Sequence, residues 1–158
     1  MTKVYYAQSI ATQGEFDYSI KVSNKIKELG YEVYAPALNN KINDKSNNPT
    51  PKDIYNGDVS EIINSDVFVI NLTGGKEDGT LTELGLVAGL NETYYDIHVV
   101  AFTSNKRLEL PQFYKGIPSA SANHLALGMI DKYGVFVGNE SDMLRHLRLY
   151  YYKEWLNG

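Results

Sequence analysis

The sequence predicts an α/β fold of three layers, with helices on both faces of a parallel sheet of about five strands. Three observations predict it. Short apolar runs alternate along the chain with stretches of helical rhythm. The central run, Val67-Phe-Val-Ile-Asn-Leu72, is short and apolar enough to be a buried strand. No internal repeat, low-complexity segment or long linker interrupts the alternation, so residues 1–158 read as a single domain.

Lys3-Val-Tyr-Tyr-Ala7 is the first strand. Asp17 to Leu29 carries apolar or aromatic residues at 18, 20, 22, 26 and 29, a helical spacing, and Gly30 stands where the helix should end. Tyr31-Glu-Val-Tyr34 is a second strand, stopped by Pro36. Asn39 to Thr50 is polar and longer than the usual βα connection of about 2–6 residues. It reads as a mobile loop, a candidate lid in which Lys41 and Lys45 are available to meet a phosphate. Pro51 suits the first turn of a helix that runs through Ser65. Asp66 to Leu72 is the third strand, Thr80 to Asn91 the third helix and Asp96 to Phe102 the fourth strand. Residues 103–122 read as irregular and Asn123 to Tyr133 as helix. Val135-Phe-Val137 is a short fifth strand, and Ser141 caps a terminal helix to Leu156. The pattern is that of Rossmann-like and flavodoxin-like sheets.

Composition removes several classes of function. A net charge of −4 gives no electrostatic footprint for nucleic acid or an anionic membrane. The absence of cysteine excludes disulfides, thiolate metal sites and a Cys nucleophile, and suits the cytoplasm. No apolar run approaches the roughly 20 residues of a membrane span. The start of the chain reads as a strand rather than a signal peptide. His98, His124 and His146 show no metal-ligand spacing, so no metal is expected. A phosphate loop of the Gly-x-x-x-x-Gly-Lys type, a Gly-x-Gly-x-x-Gly dinucleotide motif and a serine nucleophile elbow are all missing. No cofactor is implied. Tyrosine is abundant, with 13 copies, and suits oligomer contacts or a polar pocket.

The informative stretch runs from Val67 to Gly89. A glycine-rich acidic loop follows the buried strand, and in a parallel sheet such loops are where ligands bind. Gly74, Gly75 and Gly79 allow close approach of backbone to a ligand or a positive φ. Asp78 and Glu83 therefore lie in a ligand mouth. Each has a second reading. Thr80-Leu-Thr-Glu83 matches a capping box, with Thr80 at the N-cap and Glu83 reaching back. Alternatively the helix N-terminus keeps Glu83 ionised as a nucleophile. Asp78 before Gly79 is a common turn pair. Asp58 flanks the Val59, Ile62 and Ile63 stripe of its helix, either as a solvated charge or pointing back over the mouth.

Together these residues resemble the nucleoside 2-deoxyribosyltransferase family over most of the chain. The resemblance rests on Val4-Tyr-Tyr-Ala-Gln-Ser-Ile10, on Asn56-Gly-Asp58 with Ser65-Asp66, and above all on Asp78-Gly-Thr-Leu-Thr-Glu-Leu-Gly85. Asn123-His-Leu-Ala-Leu-Gly128 followed by Lys132-Tyr-Gly134 adds a weaker mark. It implies that Glu83 attacks the anomeric carbon of a 2-deoxyribosyl group and that Tyr5 orients it. Asp58 and Asp78, beside Gly79, would hold and help protonate the base. Asn123 would reach into a neighbouring subunit's site. The partners implied are a deoxynucleoside or deoxynucleotide and a free base.

The sequence also departs from the family pattern. Gln8 stands where a glycine is usual, residues 74–79 differ in length and character, and Trp155-Leu-Asn-Gly158 lacks an aromatic carboxy-terminus. Three further readings stay open at this stage. One is a hydrolase of deoxynucleoside monophosphates, with Ser9 and Ser121 receiving the phosphate. Another is the fold of cytokinin-activating phosphoribohydrolases, of whose motif Gly74-Gly75 and Gly79-Thr-Leu-Thr-Glu83 are an interrupted version. The last is a module that binds a nucleotide or nucleotide-sugar without turnover. A homodimer or larger assembly is expected from the tyrosines, Asn123 and the terminal-helix residues Leu144, Leu147, Tyr150, Tyr151 and Trp155.

Overall fold

The structure is a computed structural model describing residues 1–157, apart from the side chains of Tyr151, Glu154, Trp155 and Asn157. The terminal-helix contacts expected of Tyr151 and Trp155 thus lie outside the described residues. Five parallel strands form one sheet: β1 (Lys3–Ala7), β2 (Glu32–Tyr34), β3 (Val67–Asn71), β4 (His98–Phe102) and β7 (Gly134–Phe136). Their order is β2-β1-β3-β4-β7, so the winding reverses between β1 and β3. Ligands of such sheets bind outside the carboxyl ends of the strands at that reversal.

Strand alternation sorts the core into two halves. Tyr5, Ala7, Phe68, Ile70, Val99 and Ala101 face one side, where α3 (Pro51–Ile63), α4 (Asp78–Asn91) and α6 (His124–Tyr133) bring Ile62, Leu84, Val87, Ala126 and Ile130. Val4, Tyr6, Val67, Val69, Val100 and Phe102 face the other, against Val22 and Ile26 of α1 (Gln13–Glu28) and Met143 and Leu147 of α7 (Glu140–Asn157). Covering both faces accounts for the unbroken apolar character of β3 and β4. Gly134 is required where β7 meets β4, because a Cβ there would stand 1.7 Å from the Val99 carbonyl oxygen.

Several boundaries differ from the sequence expectation, each for a capping reason. α1 begins at Gln13 rather than Asp17, because Thr12 and Glu15 form a capping box. α7 begins at Glu140 rather than Ser141. Asn139 Oδ1 accepts from the Asp142 amide, and Asp142 Oδ2 accepts from the Asn139 amide. The expected open loop at 39–50 holds two short turns, α2 (Asn40–Asn43) and a 3-10 turn over Lys45–Asn47. Asn39 and Asp44 cap them, and Asn43 Nδ2 donates to the Pro36 and Ala37 carbonyls. Within the stretch expected to be irregular lie α5 (Lys106–Glu109) and a hairpin of β5 (Phe113–Tyr114) and β6 (Ile117–Pro118). Among the described residues no helix is long and apolar enough to cross a membrane.

Candidate active site

The site grows from the carboxyl ends of β1, β2 and β3. Tyr5 and Tyr34 are register partners on neighbouring strands, so their rings point to the same side of the sheet. Tyr5 is buried, stacked on Phe68 with centroids 5.6 Å apart and leaning on Tyr34 at 5.3 Å. Packing thus fixes the direction of its hydroxyl, which donates to Glu83 Oε1 at 2.6 Å. The Tyr34 hydroxyl accepts from Asn39 Nδ2 and donates to Asp58 Oδ1, each at 3.0 Å. Two phenols from adjacent strands therefore hold two carboxylates from different helices, Glu83 of α4 and Asp58 of α3.

Both carboxylates line a cavity of about 470 Å³ whose walls also include Ser9, Lys76, Glu77, Asp78 and Gly79. A second chamber of about 390 Å³, between α3 and α4, shares Asp58, Gly79 and Glu83 but is otherwise mostly apolar, with Tyr55, Val59, Ile62 and Leu86. Glu83 and Asp58 stand where the two chambers meet. A ligand with one polar and one flat apolar half fits that arrangement.

Burial pushes the Glu83 carboxyl up to about 7, the Tyr5 bond pulls it back, and the charge of Asp58 raises it again. Asp58 is raised mainly by burial, against the Tyr34 bond. Burial and the neighbouring charges of Glu83 and Asp58 drive Tyr5 well above its ordinary value, so it remains a donor.

The structure overturns the capping reading of Glu83. α4 starts at Asp78, not Thr80, so Thr80 is buried inside the first turn and Glu83 lies beyond it. For the same reason the helix N-terminus does not hold Glu83 ionised, because that influence fades after the first turn. The loop is instead closed by Glu77, a residue that sequence reasoning missed. Its buried carboxylate accepts from the Thr73 amide at 2.8 Å, the Thr73 hydroxyl at 3.0 Å and the Gly74 amide at 3.1 Å. Gly74, at φ +70°, supplies the left-handed turn that makes such amides converge. Tyr34, the register partner of Tyr5, was also missed.

Tyr5, Ser9, Asp58, Asp78, Gly79 and Glu83 are thus brought together. Asn123 is not among them. It is exposed, and its Oδ1 accepts from the Ala126 amide at 3.1 Å as the N-cap of α6. Ser121, Lys41 and Lys45 line neither chamber. Gln8 is buried at the β1–β3 reversal. It accepts from the Tyr6 hydroxyl and donates to the Glu15 carbonyl at 2.7 Å, so its side chain is tied down where it lines the cavity. Among the described residues no group of three or more His, Cys, Asp or Glu side chains is arranged to hold a metal ion.

A reversing parallel sheet with two phenol-held carboxylates at its carboxyl edge defines an α/β domain with a candidate ligand site. A family model described as nucleoside 2-deoxyribosyltransferase matches residues 4–131, and the chain belongs to that family. Among solved structures it is similar to a conserved protein from Enterococcus faecalis V583, with a TM-score of 0.77 and 24% identity. That match covers 94% of this chain and 98% of the other. It is also similar to the CMP N-glycosidase BcmB from Clostridium botulinum, with a TM-score of 0.56, 16% identity and coverage of 94% and 99%. At these identities the likeness is one of fold. No curated protein sequence matches the chain.

Proposed function

We propose that the protein breaks the N-glycosidic bond of 2′-deoxynucleosides or their 5′-monophosphates through a covalent ester on Glu83. The observation that carries this reading is the bond from Tyr5 to Glu83 inside the cavity that also holds Asp58. Tyr5 fixes one carboxylate oxygen and leaves the other for the anomeric carbon. As the C–N bond lengthens, its electron pair moves to the base. Asp58, held by the Tyr34 hydroxyl, binds the base and helps bring a proton to the departing nitrogen. Asp78, at the start of α4, receives the base edge. The new C–O ester then collapses on a second nucleophile.

A free base as that nucleophile makes the enzyme a transferase, and water makes it a hydrolase. The CMP N-glycosidase among the fold neighbours keeps the hydrolytic outcome in view. Incubation with a deoxynucleoside and a different free base tests the reading. A new nucleoside shows transfer, and free base with free sugar shows hydrolysis. Binding without either product overturns the catalytic reading in favour of a sensor.

The same reading includes a homodimer or larger assembly, to which Asn123 contributes across the interface. Phe113, Tyr114 and Ile117 of the hairpin and Leu125 of α6 are exposed apolar side chains available to such an interface. Light scattering at micromolar concentration should show more than one subunit. A monomer there rules out a shared site.

A further inference from the structure

Asn39 stands at the head of the polar segment 39–50, and its side-chain amide reaches two partners at once. Its Oδ1 accepts from the Ile42 amide, capping α2, while its Nδ2 donates to the Tyr34 hydroxyl at 3.0 Å. The first contact decides the second, because an oxygen turned to the Ile42 amide leaves the NH2 group for Tyr34. Backbone bonds hold Asn39 from both sides. Its own amide donates to the Pro36 carbonyl at 3.1 Å, and its carbonyl accepts from the Ile42 and Asn43 amides at 3.1 and 2.9 Å. The Asn43 side chain ties the same turn to the Pro36 and Ala37 carbonyls, and Pro36 is itself a wall of the cavity that holds Glu83.

A phenol has one proton to give. The Tyr34 oxygen takes the Asn39 donor, so its own proton is committed to Asp58 Oδ1, also at 3.0 Å. Without Asn39 the hydroxyl is free to turn away from Asp58. Burial raises Tyr34 above its ordinary value, and the Asn39 bond works against that rise, which makes the hydroxyl a stronger donor. The effect passes on to Asp58. Burial raises its carboxyl, and the Tyr34 bond opposes that rise, favouring the carboxylate where the two chambers meet.

Resting on the N-glycosidic reading above, we propose that Asn39 is a positioning residue for departure of the base. It acts through Tyr34, committing the phenol proton to Asp58 and so fixing the carboxylate that binds the base. The segment that the sequence marks as a candidate lid then bears on the chemistry through its first side chain.

Two variants separate this role from simple capping. Asn39→Ser keeps a capping oxygen for the Ile42 amide but is too short to reach Tyr34, and Tyr34→Phe keeps the ring without the hydroxyl. Asn39→Thr serves if the serine variant does not fold. The 13C carboxyl resonance of Asp58, followed against pH, needs no turnover. Its midpoint should rise in Tyr34→Phe and in Asn39→Ser, and the double variant should stand no higher than Tyr34→Phe alone. Glu61 and Glu83, whose charges couple to Asp58, stay in place in every variant and cancel from the comparison. On an ordinary deoxynucleoside, kcat/KM should fall about tenfold in Asn39→Ser. The loss should shrink on the deoxynucleoside of an N7-methylated purine, whose base is already cationic. That base takes the electron pair of the C–N bond, leaves neutral and needs no proton.

A wild-type Asp58 midpoint in Asn39→Ser reduces Asn39 to a helix cap and overturns the proposal. So does an effect of Asn39→Ser that persists undiminished in Tyr34→Phe, because it would not pass through the phenol. Equal losses on the two substrates also overturn it, since the bond would then not bear on base departure. Should no nucleoside or nucleotide be turned over, the N-glycosidic reading falls by itself. The carboxyl titration then still decides whether Asn39 sets the hold of Tyr34 on Asp58.

Discussion

Glu83→Gln is expected to leave a folded protein whose turnover has fallen about 10³-fold or more. The change removes the oxygen charge that must bond to the anomeric carbon, yet keeps a carbonyl to accept from Tyr5, whose hydroxyl reaches Glu83 Oε1 at 2.6 Å. Stability separates this outcome from misfolding, and its sign follows from the titration. In the folded protein Glu83 is held at about 7, above the usual 4.5, chiefly by burial. Between those values the folded chain binds the proton more tightly than the unfolded chain, so wild-type stability falls as pH rises through that window. Gln does not titrate, so at pH 8 the variant should melt no lower than the wild type. A 2-fluoro deoxyribosyl analogue, which slows breakdown of the ester, should leave its mass on the peptide that carries Glu83. Wild-type turnover in Glu83→Gln on a proven substrate removes the covalent mechanism.

The fold was legible because its sheet is covered on both faces. That condition forces continuous apolar runs such as Val67 to Ile70, and it spaces helices between them. Helix starts were less legible where a cap pairs two polar residues outside the apolar rhythm. Thr12 with Glu15 and Asn139 with Asp142 both extend a helix beyond its first apolar position. The Thr80–Glu83 pair misled for the opposite reason. It has the spacing of a capping box, but the helix begins two residues earlier, and the carboxylate is drawn inward by a tyrosine 78 positions away. Glu77 was invisible because its role depends on the turn at Gly74 folding three donors back onto it. Local spacing shows that glycines are present, but not which groups their turn aims at one point. Tyr34 was hidden by distance along the chain, since its partner Asp58 lies 24 positions away and meets it only in the folded chain.

Tyr5→Phe and Asp58→Asn are expected to move the acid limb of the pH–rate profile in opposite directions. If Glu83 attacks as the carboxylate, wild-type kcat/KM should rise with pH through a limb near 7. Burial raises this group most, the Tyr5 hydrogen bond lowers it, and the Asp58 charge raises it. Removing the Tyr5 hydroxyl takes away the lowering contribution, so the limb should shift to higher pH. Activity at pH 6 should fall about tenfold or more and recover in part at pH 8 to 9. Removing the Asp58 charge takes away a raising contribution, so that limb should shift to lower pH even though the plateau falls with the loss of its hold on the base. Burial is common to both variants and is the largest cause, so in neither should the limb reach the ordinary carboxylate value. Position and height of the profile therefore report different roles, the first electrostatic coupling to Glu83 and the second chemistry on the substrate. A purely structural tyrosine would lower the plateau and leave the limb in place. If both variants keep the wild-type limb while losing activity, the group that titrates is not Glu83, and the assignment of the nucleophile must move elsewhere in the cavity.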